Sequence, residues 1–134
     1  MEGVALDTSF LIDLQNERRA RGRVRGAVAF LEAHRTTRLL LPAVALGEYL
    51  EGFDDPASEV AQALVAHLDI LPVTEDVAQL YARTTRVLRS AGKLLGTNDL
   101  WIACTARAAG VPIVTRNMGH FRRVPQLGVL GYAT

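Results

Sequence analysis

Residues 4–14 read VALDTSFLIDL: a short apolar run, a carboxylate at Asp7, two hydroxyl residues, then a second apolar run. The first run is Val- and Leu-containing and short, as a strand buried on both faces is, and Thr8 or Ser9 can cap a helix through FLIDL. The stretch therefore predicts a strand feeding directly into a helix, with an acid at the joint. Asp7 has two readings there. It is a helix N-cap, which aspartate serves well, or a charged group held at the carboxyl edge of a sheet, where ligands bind. A second acid at the same edge would decide.

Working outward, RLLLP (38–42), DILPV (69–73) and VPIVT (111–115) repeat the character of GVAL (3–6), and GVLGY (128–132) is a fifth candidate strand. Helical segments separate them. Pro42 suits a first helical position, and Pro56-Ala57-Ser58 opens EVAQALVAHL. Thr74 precedes Glu75 and Asp76, acids that a helix dipole favours in the first turn; Thr97 precedes NDLWIACTARAAG, which Gly110 closes. Apolar strands alternating with helices predict an α/β fold with a mostly parallel sheet covered on both faces.

The chain has 134 residues, 49% of them apolar and 22% charged, which fits one globular domain spanning 1–134. It lacks the roughly 18 uninterrupted apolar residues of a membrane span and the basic, then apolar start of a signal peptide, so a cytoplasmic location is expected. Cys104, the single cysteine, lies in an Ala-rich apolar segment and reads as a buried structural thiol; no zinc-ligand spacing occurs. The formal net charge is +1, but the charges are segregated. Arg18, Arg19, Arg21, Arg23 and Arg25 crowd RRARGRVR, which on its own reads as a solvated helix face. Arg107, Arg116, Arg122 and Arg123 occupy a tail that has no acid after Asp99.

Asp99 falls in the first turn of the helix beginning near Thr97, with Leu100, Trp101, Ile102, Ala103 and Cys104 behind it. That helix is apolar nearly all round, so it should be buried, and an acid entering it needs a partner unless it only compensates the helix dipole. Glu48 is different: Leu46, Leu50 and Phe53 form an i, i+4, i+7 stripe that turns Glu48 towards solvent. Gly47 beside it suggests a close backbone approach. Asp13, six residues beyond Asp7, turns to another side of its helix and reads as a surface residue.

Three blocks together, LDTSFLIDL, PAVALGEYLEG and GTNDLWIACTARAAGVPIVTRNMGHFRRVPQLGVL, resemble in letters, order and spacing the PIN-domain ribonucleases, and within them the VapC-type toxins of toxin–antitoxin pairs. The resemblance covers nearly the whole chain. It implies a three-layer sandwich around a twisted sheet of about five strands, with an acidic pocket that binds Mg2+ or Mn2+ and cuts single-stranded or loop RNA. The family's acids fall on Asp7, Glu48 and Asp99, which overturns the solvent-facing reading of Glu48. A fourth acid, common in the family, has only Asn117 or His120 at its place here, so a second metal should bind more weakly. His120 could instead contact phosphate, act as an acid near neutral pH, or have no role.

Metal-assisted hydrolysis needs such acids, because hard divalent ions held by carboxylates activate water and neutralise phosphoryl oxygens. Thr8, Ser9, Asn98 and Thr115 are candidate contacts to the substrate or to the acids. Arg116 and Arg122, with Arg123, are candidate phosphate contacts. The resemblance further implies a cognate antitoxin whose C-terminal segment occupies the groove, and a homodimer. Two other functions remain open: a PIN-fold RNA-processing nuclease without a toxin role, and a catalytically weak RNA- or protein-binding module.

Overall fold

The computed structural model describes residues 3–133. Its centre is β1 (Gly3–Leu6), whose four residues are all buried, as the middle strand of a sheet covered on both faces must be. The chain continues through α1 (Thr8–Arg18) and α2 (Ala27–Ala33) to β2 (Arg38–Pro42), then α3 (Ala43–Glu51), α4 (Glu59–Ala63) and β3 (Asp69–Leu71). It then passes through α5 (Glu75–Ser90) and α6 (Thr97–Ala108) to β4 (Ile113–Val114), α7 (Met118–Phe121) and β5 (Val129–Leu130).

The sheet order is β3-β2-β1-β4-β5, and every pairing is parallel, with Val4 opposite Leu39 and Ala5 opposite Ile113. The expected "mostly parallel" sheet is wholly parallel among the described residues. From β1 the chain steps outward to β2 and β3, then returns across β1 to β4. Right-handed crossovers taken in opposite directions put helices on both faces. The order reverses at β1 and β4, which makes their carboxyl ends the switch point where open α/β sheets bind ligands.

The core joins the sheet to its helices through Val4, Leu6, Phe10, Leu11, Leu41, Ile102, Ile113, Val114 and Phe121, none more than 1% exposed. Phe10 packs edge-on against both Phe30 and Tyr132, and Tyr81 of α5 stacks on Trp101 of α6 at 3.8 Å. Cys104 is buried, as its apolar setting predicts. Among the described residues no helix is long and apolar enough to cross a membrane.

Several local expectations shift. The N-cap of α1 is Asp7 itself, accepting from Phe10 N, rather than Thr8 or Ser9. Pro42 ends β2 and precedes α3 instead of starting it, and Gly96 rather than Thr97 stands at the α6 cap. Ser58 and Thr74 cap α4 and α5 as read, and Gly110 follows α6 with φ +71°, a conformation glycine adopts without strain. The strands DILPV, VPIVT and GVLGY shrink to three, two and two residues. RRARGRVR is not a helix face: Arg18 ends α1, and the rest forms a loop to α2. Glu17 fastens that loop by accepting from the backbone N–H groups of Arg25, Ala27 and Val28, placing its charge at the start of α2. Gly47 meets no close neighbour, so the suggested backbone approach is absent.

Candidate active site

Asp7 emerges from β1 at the switch point and is 4% exposed. Its Oδ1 accepts from Ser9 Oγ at 2.7 Å and Phe10 N at 3.1 Å, and its Oδ2 from Thr115 Oγ1 at 2.6 Å. Thr115 directly follows β4, so the bond ties the two strands whose divergence opens the crevice. Its hydroxyl also accepts from Asn117 N at 2.9 Å. Both readings of Asp7 are therefore true: it caps α1 with one oxygen and stands at the sheet edge as a buried carboxylate.

Glu48 belongs to the same site. The face of α3 that enters the core is Ala45 and Tyr49, whereas Leu46, Leu50 and Phe53 are only half-buried. The larger side chains misled the periodicity argument. Glu48 lies three residues from Ala45 and one from Tyr49, on the flank of the buried face. Its Oε1 accepts from Thr8 Oγ1 at 2.6 Å and its Oε2 from Asn98 Nδ2 at 3.1 Å. These bonds join α1, α3 and the first turn of α6.

Asp99, one residue beyond Asn98, has Oδ2 3.1 Å from His120 Nε2, each side chain being about one-third exposed. His120, and not Asn117, is thus the fourth-place residue that meets an acid. A cavity of about 320 Å³ lined by Glu48, Gly96, Thr97, Asn98 and Asp99 opens beside them. A second, of about 400 Å³, runs from Glu48 between α1 and α3 to Arg19 and Arg21.

The acids feel one another. Burial pushes Asp7 above its ordinary value of 3.8, against the pull of Thr115, Ser9 and Phe10 N, and the Asp99 charge adds to the rise. Asp99 is also raised, by burial first; His120 opposes this and Glu48 reinforces it. Repulsion within a cluster of carboxylates is what a bound cation relieves. The donor chemistry suits a hard divalent ion, since carboxylate oxygens are its preferred ligands. Yet among the described residues no group of three His, Cys, Asp or Glu converges closely enough to hold one ion. Each acid is turned onto its own hydroxyl, amide or imidazole neighbours, so joint ligation requires the side chains to turn towards one another.

The remaining predicted residues separate by role. Thr115 is wholly buried and donates to Asp7, the second of the two roles open to it. Thr8, Ser9 and Asn98 likewise hold acids. Arg116 is one-third exposed, with Nε 3.0 Å from Asp13 Oδ2. Arg122 is exposed at the end of α7, and Arg123 donates to Leu94 O at 3.1 Å. Asp13 corrects the sequence reading: it is buried beneath the C-terminal segment and accepts from Tyr132 Oη at 2.6 Å. It does turn away from Asp7, but that side of α1 is covered. The signal was present, because Asp13 lies three residues after Phe10 and beside Leu14, on the buried face of α1.

Fold and site together define an open, all-parallel α/β protein with an acidic centre at its switch point. The chain belongs to the PIN domain family, whose profile matches residues 4–127. It is similar to Ribonuclease VapC1 of Methanocaldococcus jannaschii, with 27% identity over 96% of this chain and 86% of that protein. In solved structures it is similar to VapBC2 from Rickettsia felis bound to a promoter DNA fragment, with a TM-score of 0.80 and 22% identity over 96% of this chain and 98% of the other, a likeness of fold. It is also similar to a toxin–antitoxin complex from Klebsiella pneumoniae, with a TM-score of 0.70 and 26% identity over 96% of each chain.

Proposed function

We infer that this chain is an endoribonuclease toxin of the VapC kind, hydrolysing RNA phosphodiester bonds with the help of Mg2+ or Mn2+ and neutralised by a cognate antitoxin. The observation that carries the reading is the placement of Asp7, Glu48 and Asp99 at the switch point of a PIN domain, each held by hydroxyl, amide or imidazole neighbours from α1, α6, α7 and the end of β4. These three acids would hold the metal, which when bound supplies an activated water and neutralises charge on the phosphoryl group. Thr115 and Ser9 orient Asp7, while Thr8 and Asn98 orient Glu48. His120, beside Asp99, stands in the fourth place and is the group available there to donate a proton or a hydrogen bond. Arg116 and Arg122 supply positive charge for backbone phosphates. The toxin acts in the cytoplasm and as a homodimer in this reading.

Cleavage of a pool of structured RNAs by purified, antitoxin-free protein tests it, with Mn2+ or Mg2+, with EDTA, and with the Asp7→Asn variant. Metal-dependent cutting that the variant lacks is the expected result. Folded protein that cuts no RNA with either metal would overturn the nuclease and favour the binding module. Cutting without an antitoxin that forms a stable complex and suppresses it would favour an RNA-processing enzyme.

A further inference from the structure

Asp13 is a buried carboxylate for which the proposed chemistry has no use. Its Oδ2 is shared by two partners from the far end of the chain: Tyr132 Oη donates to it at 2.6 Å, and Arg116 Nε forms an ion pair with it at 3.0 Å. Tyr132 is itself buried and packs edge-on against Phe10, so the acid cannot follow a moving partner. Arg116 is gripped unevenly. Its Nε is buried and meets Asp13 as an ion pair without hydrogen-bond alignment, while one-third of the side chain remains exposed. Its backbone N–H donates to Ser9 Oγ at 3.3 Å, and Ser9 Oγ donates to Asp7 Oδ1. The arginine therefore sits next to the acidic centre, two hydrogen bonds from Asp7 and adjacent in sequence to Thr115.

A flexible guanidinium in that place would ordinarily fall onto the nearest unpaired carboxylate. Here Asp7 is met by Ser9 Oγ, Phe10 N and Thr115 Oγ1, while the Arg116 side chain pairs with Asp13. Asp13 gives the arginine a separate counter-ion. We propose that Asp13, locked by Tyr132, is a positioning residue that holds Arg116 off the catalytic acids and presents its exposed end to a phosphate of the RNA substrate. The arrangement keeps two opposite charges apart in a small site: carboxylates for a cation, guanidinium for the polyanion. An acid that served only to staple α1 to the C-terminal segment would not need to engage an arginine that is still partly exposed.

The inference rests on the ribonuclease reading, and full-length protein separates the two. Asp13→Asn keeps an acceptor for Tyr132 but removes the ionic hold on Arg116. KM for RNA should rise roughly tenfold, the loss expected when one charge-assisted contact fails, with kcat changing less. The slope of log affinity against log salt should fall by about 0.7, one phosphate contact on a single strand, as it should in Arg116→Ala. The double variant should bind no more weakly than Arg116→Ala alone, because the acid acts through the arginine. Arg116→Lys retains the charge but lacks the Nε that meets Asp13 partway along the side chain, so it should share the KM rise without disturbing the buried acid. It decides the matter if melting curves show that Asp13→Asn does not fold. Wild-type KM in Arg116→Lys, or wild-type KM and salt slope in folded Asp13→Asn, would overturn the proposal while leaving the nuclease intact. So would losses in the double variant that simply add. Wild-type protein that neither binds nor cuts RNA would overturn both.

Discussion

Asp7→Asn separates the folding role of this residue from its proposed metal role. Asparagine caps a helix as well as aspartate does, so the bond from Phe10 N survives. The amide oxygen can replace Oδ1, leaving the NH2 group facing Thr115, whose hydroxyl already accepts from Asn117 N. That hydroxyl has a second lone pair for the amide, but its own hydrogen loses its partner, at a cost of about 1 kcal/mol. Against this, the variant removes a carboxyl that burial holds above 3.8. Below that pH the wild-type group is protonated in both folded and unfolded chains, and only the hydrogen-bond loss separates the proteins. As pH rises, the unfolded chain releases its proton first, so wild-type stability falls until the folded carboxyl also ionises. The difference in unfolding free energy should therefore move in favour of the variant from about pH 4 upward and then level off. Adding Mn2+ at a hundred times its Kd should stabilise the wild type by about 2.7 kcal/mol. For a chain of this size that is about 10 °C in Tm. The variant should gain little. Thermal melts from pH 3 to 8, with and without Mn2+, measure both effects. A pH-independent difference would refute the raised carboxyl, and equal Mn2+ shifts in the two proteins would remove Asp7 from the metal site.

Three other outcomes follow from the same geometry. His120→Asp should tighten Mn2+ binding while lowering metal-free stability, because a second carboxylate would face Asp99; calorimetric titration that matches the wild type would remove position 120 from the fourth-ligand place. Thr115→Val should cost roughly 2–3 kcal/mol in urea unfolding, since it leaves the buried Asp7 Oδ2 without its partner, and a loss under about 1 kcal/mol would count against that bond. The Cys104 thiol, buried and pushed up by that burial, should resist a maleimide until the protein unfolds; rapid labelling of the native protein would contradict its placement in α6.

The fold was legible because strand, acid and helix follow one another without a linker at the start of the chain, and apolar segments of strand length recur at helix-length intervals. Strand lengths were not legible. Pro112 and Pro72 lie just outside β4 and β3, and pairing stops where the parallel neighbour stops, which no single segment encodes. Of the site, Asp7 and Asp99 could be proposed from position alone. Glu48 could not, because the stripe of larger side chains pointed elsewhere while the small Ala45 and the amphipathic Tyr49 formed the buried face. Asp13 was missed for the opposite reason. Its local pattern marked a buried face, but its partners, Tyr132 and Arg116, come from the far end of the chain and reach it only through the sheet order.

Asp7 and Asp13, six residues apart at the cap and in the body of α1, show how two buried acids can differ in what they are left to attract. Both are buried, at 4% and 5% exposure, and both have close hydrogen-bond donors. The partners differ in charge. Asp13 meets a guanidinium, so its negative charge is cancelled in place and nothing further is drawn to it. Asp7 meets two hydroxyls and a backbone N–H, which fix its orientation but leave its charge uncompensated. Glu48 is held in the same neutral way, by Thr8 and Asn98. At Asp7 the desolvation of the carboxylate outweighs its three neutral donors, so the group is raised despite those hydrogen bonds. A chain selected only for stability would replace such an acid or supply it with a cation of its own. Instead, the nearby Arg116 is tied to Asp13. In the proposed function, the uncompensated charge at the end of β1 is thus the part of the fold that a divalent ion completes, and the hydroxyls around it set the direction from which that ion is held.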